Sequence, residues 1–237
     1  MPSVDHAVIA AAGFGSRLGR GHPKCLVEFR SRTLLDRQLE LLADVPDVRI
    51  VVGFQEELVV EHALALRADV TIVRNPAYAS TTTLISYEMG ARHLASPCLF
   101  MDADIVFERE SFRRFVARAA EAEGPLVGYT DAKTADAVYV SVVGNAVTGF
   151  SRADVTPYEW ANLAYLPAHY CEGGNGSVYA HLSKDLPLMG AHIVSHEIDR
   201  IEDLDYALTH HPLEGVERQG EAAQRIVESA VVRLARS

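Results

Sequence analysis

The feature that most constrains this chain is an alternation of short apolar runs with amphipathic segments through its first half. Residues 4–11, 49–52, 70–73 and 98–101 read as strands. Residues 33–42, 56–66, 83–94 and 112–122 read as helices, and in the first of them Leu35, Leu39 and Leu42 share one helical face. Such a βαβα rhythm is satisfied by a mostly parallel sheet with helices on both faces. The pattern changes after Gly124. Residues 126–129, 138–143 and 146–150 read as strands, with Gly144-Asn145 as a hairpin turn. Residues 151–176 read as irregular and rich in aromatic and polar groups. A helix is expected near 177–182, a strand at 193–198, a helix at 201–208 and a last amphipathic helix at 219–234. A short extended piece is expected at 26–29. The two halves, 1–123 and 124–237, are joined by no linker-like composition, so a single domain is expected over 1–237.

The 237 residues suffice for a substantial core, and an apolar content of 49% with 23% charged residues is ordinary for a globular protein. The net charge of −10 argues against nonspecific nucleic-acid binding, which needs a basic face. Cys25, Cys98 and Cys171 form no Cys-x-x-Cys pair and read as reduced thiols of a cytoplasmic protein. No secretory leader or apolar run of membrane-spanning length is recognisable, so no membrane association is expected.

Chemistry concentrates where predicted strands end, because ligands of open α/β sheets bind beyond the carboxyl ends of the strands. The first strand runs into Ala11-Ala12-Gly13-Phe14-Gly15-Ser16-Arg17, followed by Pro23-Lys24. Gly13 and Gly15 let the backbone approach a ligand closely, and Arg17 and Lys24 place two cations beside it, a combination suited to a polyphosphate. Lys24 is one of only three lysines against nineteen arginines, which points to a need for a compact point charge there. The strand at 98–101 ends in Asp102-Ala103-Asp104, and the one near Ile193 ends in Glu197-Ile198-Asp199. Asp104 and Asp199 are placed to meet above the sheet and hold Mg²⁺, which prefers oxygen ligands shared with phosphates. Read singly, each signal has a plainer meaning. The glycines also fit a tight loop, Asp102 and Asp104 fit surface carboxylates, and Asp199 fits a helix cap. His210-His211 reads as surface. Lys133 reads as an exposed lysine or an acceptor contact. Tyr158, Trp160, Tyr165 and Tyr170 read as core packing or as an aromatic cage. Arg152, His169 and His192 are alternative contacts for an anionic ligand.

The loop from Ala11 to Arg17 with Pro23-Lys24 resembles the signature of the nucleoside-triphosphate transferases, which join a nucleoside monophosphate to a phosphorylated acceptor and release pyrophosphate. Asn75-Pro76-Ala77-Tyr78 and Thr81-Thr82-Thr83-Leu84-Ile85-Ser86 resemble a second family segment, and Asp102-Ala103-Asp104 and Glu197-Ile198-Asp199 resemble the two metal segments. The similarity runs from about residue 4 to about residue 209 and is nearest to small bacterial cytidylyltransferases acting on phosphocholine or phosphonates. It implies an α/β, Rossmann-like three-layer sandwich with a mostly parallel mixed sheet and a small β-rich insertion for the acceptor. It implies that Ala11, Ala12, Gly13, Phe14, Gly15, Ser16 and Arg17 hold the triphosphate. Asn75, Ser80, Thr81, Thr82 and Asp102 then contact the nucleotide, and Asp104 and Asp199 bind Mg²⁺. Lys24 bridges the α-phosphate and the acceptor, with Arg17 as its catalytic companion. Lys133, Trp160 and His169 are candidate acceptor contacts read from the residues themselves. The expected substrates are CTP and a small phosphorylated or phosphonate acceptor, a phosphonoformate-like phosphonate ahead of phosphocholine. A sugar-1-phosphate uridylyl- or guanylyltransferase shares these motifs and stays open, as does a non-catalytic nucleotide-binding regulator. The last amphipathic helix is able to pack internally or to pair two copies as a homodimer.

Overall fold

The structure is a computed structural model that describes residues 3–14, 21–133 and 136–212. The elements of the first half are β1 (His6–Ala11), β2 (Glu28–Phe29), β3 (Arg32–Thr33), α1 (Leu34–Leu41), β4 (Asp47–Val52), α2 (Glu56–Leu66), β5 (Thr71–Arg74), α3 (Thr83–Ala91), β6 (Cys98–Asp102), β7 (Ile105–Phe107) and α4 (Arg109–Ala120). They are followed by β8 (Leu126–Asp131), β9 (Tyr139–Val143), β10 (Ala146–Ser151), β11 (Tyr158–Leu166), α5 (Val178–Leu182), β12 (Leu188–His192), β13 (Ser195–Glu197) and α6 (Ile201–His210).

Nine strands form one mixed sheet in the order β5-β4-β1-β6-β11-β8-β12-β10-β9. Strands β1, β4, β5 and β6 are parallel neighbours, as are β8 and β12, whereas β10 and β11 run against the strands beside them. Strands from both halves of the chain thus share one sheet. Burial on both faces explains the apolar runs. Along β1, Ala7, Ile9 and Ala11 enter one core with Leu35, Leu39, Val59, Phe112 and Phe115 of α1, α2 and α4. Val8 points the other way, into a second core with Leu84 and Tyr87 of α3 and Val178 and Leu182 of α5. The result is the expected three-layer α/β sandwich. Helix α3 lies close to the sheet because it carries Gly90, where a Cβ would overlap Val8 and Val51. A third, smaller core joins Val27, Phe29 and Leu34 to Val106, Ile198, Leu204 and Ala207, and so ties the Lys24 segment to α6.

Two parts differ from the sequence reading. Residues 151–176 contain the long strand β11, near the middle of the sheet between β6 and β8. Its register shifts between Trp160 and Ala164, and Asn162 takes φ 49°, so a bulge breaks the periodicity that would mark a strand. The single strand expected at 193–198 is two pieces. β12 ends at His192 in the main sheet, and β13 pairs with β7 in a separate ribbon. The hairpin at Gly144-Asn145 is present between β9 and β10, with Gly144 at φ 61°. The expected helix at 219–234 lies outside the described residues.

Candidate active site

The carboxyl ends of β1 and β6 open on a cleft of about 390 Å³. Its walls include Ala11 to Phe14 after β1, Asn75 and Thr81–Thr83 before and within α3, Asp102 and Asp104 after β6, Glu197, Asp199 and Lys24. Backbone bonds bring these segments together. The amide of Ala103 donates to the Ala10 carbonyl at 3.1 Å, and that of Ile198 donates to the Asp104 carbonyl at 2.9 Å. Gln38 Nε2 donates to the carbonyls of Asp102 and Ile105 at 2.8 and 3.0 Å and pins the β6–β7 turn from beneath. Asp104 and Asp199, 95 positions apart in the chain, therefore become neighbours.

Asp104, Glu197 and Asp199 each offer a carboxylate oxygen, and these oxygens lie within 4.8 Å of one another. Lys24 stands among them, donating to Asp104 Oδ2 at 3.1 Å and to Asp199. Burial works against its ammonium, but the charges of Asp104 and Asp199 prevail and lift its pKa above the ordinary lysine value. Asp102 is pushed up to about 7 by burial and then by Asp104, although Tyr87 donates its hydroxyl to Asp102 Oδ1 at 2.7 Å. Glu197 is pushed up to about 8, first by its enclosure and then by Asp104 and Asp102. Among the described residues, four carboxyl groups face one ammonium, and the raised pKa of Asp102 and Glu197 marks a site short of positive charge. A hard divalent cation fits three close oxygen donors of this kind.

A second cavity of about 1120 Å³ adjoins the first, and both are lined by Thr81, Thr82, Thr83, Asp102, Glu197 and Asp199. Lys133, Arg152, Glu159, Trp160, Asn162, Tyr179, His196 and Tyr206 also line the second cavity. The N-terminus of α3 faces both cavities, and its N-cap Thr82 makes no side-chain cap bond. The positive end of the helix dipole is thereby offered to an anion.

The structure sorts the remaining sequence candidates. Gly15, Ser16 and Arg17 lie outside the described residues. Phe14 stacks on Phe54, with ring centres 4.7 Å apart, at the rim of the first cleft. Asn75 lines that cleft, but its side chain also organises the wall. Its amide donates to Thr81 Oγ1 and Ser86 Oγ, and its carbonyl accepts from the Ala77 amide. Ser80 is outside both linings and turns its hydroxyl to the Ala77 carbonyl. Lys133 lines the larger cavity while donating to Thr130 Oγ1 at 3.0 Å and the Asp131 carbonyl at 2.6 Å. Burial lowers its pKa more than Glu159 and Asp131 restore it. Of the four aromatic candidates, Trp160 reaches that cavity. Tyr158 packs on Tyr129, Tyr165 lies against the first core, and Tyr170 hydrogen-bonds Asp185. They form no cage. His169 is not brought to the site. Because β11 is antiparallel to β6, with Leu166 opposite Cys98, the chain reaches His169 beyond the end of β6 remote from Asp102. His192 pairs with Asp131 at 3.1 Å and lines neither cavity. His211, expected at the surface, is 3% exposed and packs edge-on against Phe29 and His196.

Sequence reasoning left three site residues without a role. Glu197 stood in a recognised motif but was given no part in metal binding. Asn162 donates to Glu197 Oε2 at 3.2 Å from the β11 bulge, and nothing in the sequence marks that bulge. His196 was hidden inside a strand pattern.

A family model described as the MobA-like NTP transferase domain matches residues 7–145. The chain belongs to this family. Among curated proteins, the bifunctional protein GlmU of Bifidobacterium longum strain NCC 2705 is 32% identical over 121 residues, which cover 48% of this chain and 26% of that protein. The CTP:phosphoglutamine cytidylyltransferase of Campylobacter jejuni is 36% identical over 58 residues, covering 22% of this chain and 23% of that enzyme. The chain thus spans well under half the length of these relatives in its matches. The inositol-1-phosphate CTP transferase from T. maritima superposes with a TM-score of 0.73 over 90% of this chain and 99% of its own, at 16% identity. At that identity the likeness concerns the fold alone. Among the described residues, no helix is long and apolar enough to cross a membrane.

Proposed function

We propose that this MobA-like protein is a CTP-dependent cytidylyltransferase that moves CMP onto a small phosphonate or phosphate monoester and releases pyrophosphate. The observation that carries this reading is that two cavities share the wall of Asp102, Glu197 and Asp199, with Lys24 and Asp104 beside it in the first cavity. Donor and acceptor are then bound on either side of that shared wall, with Lys24 on the donor side within reach of their junction. An acceptor oxyanion attacks the α-phosphorus of the triphosphate, a new P–O bond forms, and the bond to the β-phosphate oxygen breaks. The nucleophile is already anionic, so no general base is needed. The obstacle is repulsion between two anions, and it is overcome by positioning and fixed positive charge.

Each group has a defined task. Lys24 attracts the oxygens of both partners. Gly13 and the loop after it, with Arg17 as the expected second cation, receive the outer phosphates. Thr82 and the N-terminus of α3 add dipolar attraction where both anions converge. Asp104, Glu197 and Asp199 would hold Mg²⁺, with Asp102 orienting the group from behind. The ion, when bound, supplies charge neutralisation on the phosphate oxygens. Residues 1–237 act as one unit in this reading, because the 1–123 half supplies the nucleotide cleft and the 124–237 half most of the acceptor wall.

CTP is favoured because CTP-using cytidylyltransferases recur among both the sequence relatives and the structural neighbours. A phosphonate stays ahead of phosphocholine in this reading because the cavity offers Lys133 and Arg152 to an anionic acceptor, beside its three aromatic rings, Trp160, Tyr179 and Tyr206. The size of that cavity, about 1120 Å³, also supports a second reading, transfer to a sugar 1-phosphate. Pyrophosphate release, screened over four nucleoside triphosphates against phosphonates, phosphocholine and sugar phosphates, separates these. CTP-selective release with a phosphonate or simple phosphate ester supports the reading. UTP- or GTP-selective release with a sugar 1-phosphate replaces it, and no release with any pair makes the protein a nucleotide-binding regulator.

A further inference from the structure

His196 combines three properties. It is 5% exposed, it lines the larger cavity, and its Nδ1 has no hydrogen-bond partner. Tyr206 and His211 hold the ring by packing, with centroids 5.8 and 5.3 Å away. Its orientation is therefore set before any ligand arrives. It directly precedes Glu197, so it stands one residue from the carboxylate cluster. Nδ1 is closed to a water-sized group as well as unpartnered, so a ligand in the cavity meets the ring at its other nitrogen, Nε2.

We propose that His196 is a specificity-determining residue whose ring hydrogen-bonds a neutral polar group of the acceptor, most simply a hydroxyl. The inference rests on the reading that the larger cavity receives the acceptor. The surroundings choose the partner. Lys133, His211, His210 and Arg30 bear on the ring from other elements, while Glu159 and Glu197 line the cavity with it, so an uncharged group that both donates and accepts suits the ring. The acceptor oxyanion belongs at Lys24. What remains for His196 is the part of the acceptor remote from the reacting oxygen, and the acceptor class becomes a hydroxylated phosphomonoester or phosphonate.

Two matched pairs test this: glycerol 3-phosphate against propyl phosphate, and 2-hydroxyethylphosphonate against ethylphosphonate. Each is assayed by pyrophosphate release with CTP and Mg²⁺. The wild type is expected to prefer the hydroxylated member of at least one pair by about tenfold or more in kcat/KM. His196→Phe is expected to erase that preference by raising KM for the hydroxylated member while KM for CTP stays constant. His196→Gln, which keeps a hydrogen-bonding group, is expected to retain part of it and decides the matter if the phenylalanine variant does not fold. Because the phenylalanine removes an unpartnered polar atom, the free variant is expected to melt no lower than the wild type. Equal use of both members by the wild type overturns the proposal, and so does a preference that survives in both variants. CTP-dependent thermal stabilisation is measured in parallel. If it persists without discrimination, the role of His196 fails alone. If it is also absent, the cytidylyltransferase reading fails with it.

Discussion

Lys24→Met tests the centre of the site, because methionine keeps most of the apolar stem and removes the charge. Lys24 Nζ lies 3.1 Å from Asp104 Oδ2 and also pairs with Asp199, and all three side chains are less than one-fifth exposed. At an effective dielectric of about 20, one unit pair at such a distance attracts by about 5 kcal/mol. Desolvation of the ammonium offsets part of this. Removing one partner of a largely buried pair costs about 3–5 kcal/mol, because the other charges are left uncompensated. For a chain of this size each kcal/mol moves the melting midpoint by about 2–4 °C. Without divalent ions the variant should therefore melt on the order of 10 °C below the wild type. Mg²⁺ should stabilise it more than the wild type, since the carboxylates have lost their own counter-ion. An ion present at about 100 times its Kd contributes about 2.7 kcal/mol. Turnover should behave differently. Loss of one fixed donor to the transition state lowers kcat by roughly 10²–10³, and added Mg²⁺ should not restore it. Differential scanning calorimetry with and without Mg²⁺, beside a pyrophosphate-release assay, reads both effects. Near-normal turnover, or a midpoint unchanged in metal-free buffer, would refute the reasoning.

Asp199→Asn should abolish the Mg²⁺-dependent rise in melting midpoint, and a midpoint that still follows Mg²⁺ as in the wild type would remove Asp199 from the ligand set. Asn162→Gly tolerates φ 49° but lacks the amide that donates to Glu197. It should raise the Mg²⁺ concentration for half-maximal activity several-fold, with little change in melting, and an unchanged metal requirement would count against the contact. Gly90→Ala should destabilise by about 1–3 kcal/mol in urea titrations, because its Cβ overlaps Val8 and Val51. Glu108 caps α4, accepting from the amides of Glu110 and Ser111 at 2.9 and 2.7 Å. Burial opposes its charge, but those bonds prevail and hold its pKa below the usual 4.5. The stabilisation is thus complete above that value and disappears as pH falls through the lower folded-state pKa. The urea-midpoint gap between wild type and Glu108→Gln should narrow on acidification, and a constant gap would show that the charge is not the source.

What was legible in the sequence follows from how each element is buried. β1, β4 and β6 are covered on both faces, so the runs Ala7–Ala11, Ile50–Val52 and Cys98–Met101 within them are apolar and announce themselves. Helix α2 begins and ends at Glu56 and Leu66 as expected, since Gly53 before it and the turn after Leu66 interrupt the pattern cleanly. β11 is equally central but was unreadable. Its bulge throws Asn162 out of alternation, and its polar and aromatic residues answer to cavities as well as to the core. The acidic cluster was legible in part. Asp104 and Asp199 stood at the ends of predicted strands, whereas the part played by Glu197 depends on the β7–β13 pairing that turns it to the same point. His169 was misplaced for a related reason: without β11 in the sheet, nothing in the sequence shows that the chain has crossed to the opposite end before reaching it.

The position of Lys24 makes sense of the imbalance of charge around it. Four carboxylates drawn together with no counter-ion would oppose folding of the β6–β7 turn onto the β13–α6 connection. The lysine relieves that repulsion in the protein alone, and the core of Val27, Phe29, Leu34, Ile198 and Leu204 holds its segment where it can do so. A lysine suits this better than an arginine. Its compact ammonium fits between Asp104 and Asp199, and its flexible stem lets the same charge turn to phosphate oxygens when a cation occupies the carboxylates. In the proposed reading, the residue that relieves this repulsion without substrate is the one released to act when substrate and metal arrive. On this account the ion pairs of Lys24 are part of the catalytic arrangement, because they keep a charged side chain ordered and close to the reacting centre until it is needed.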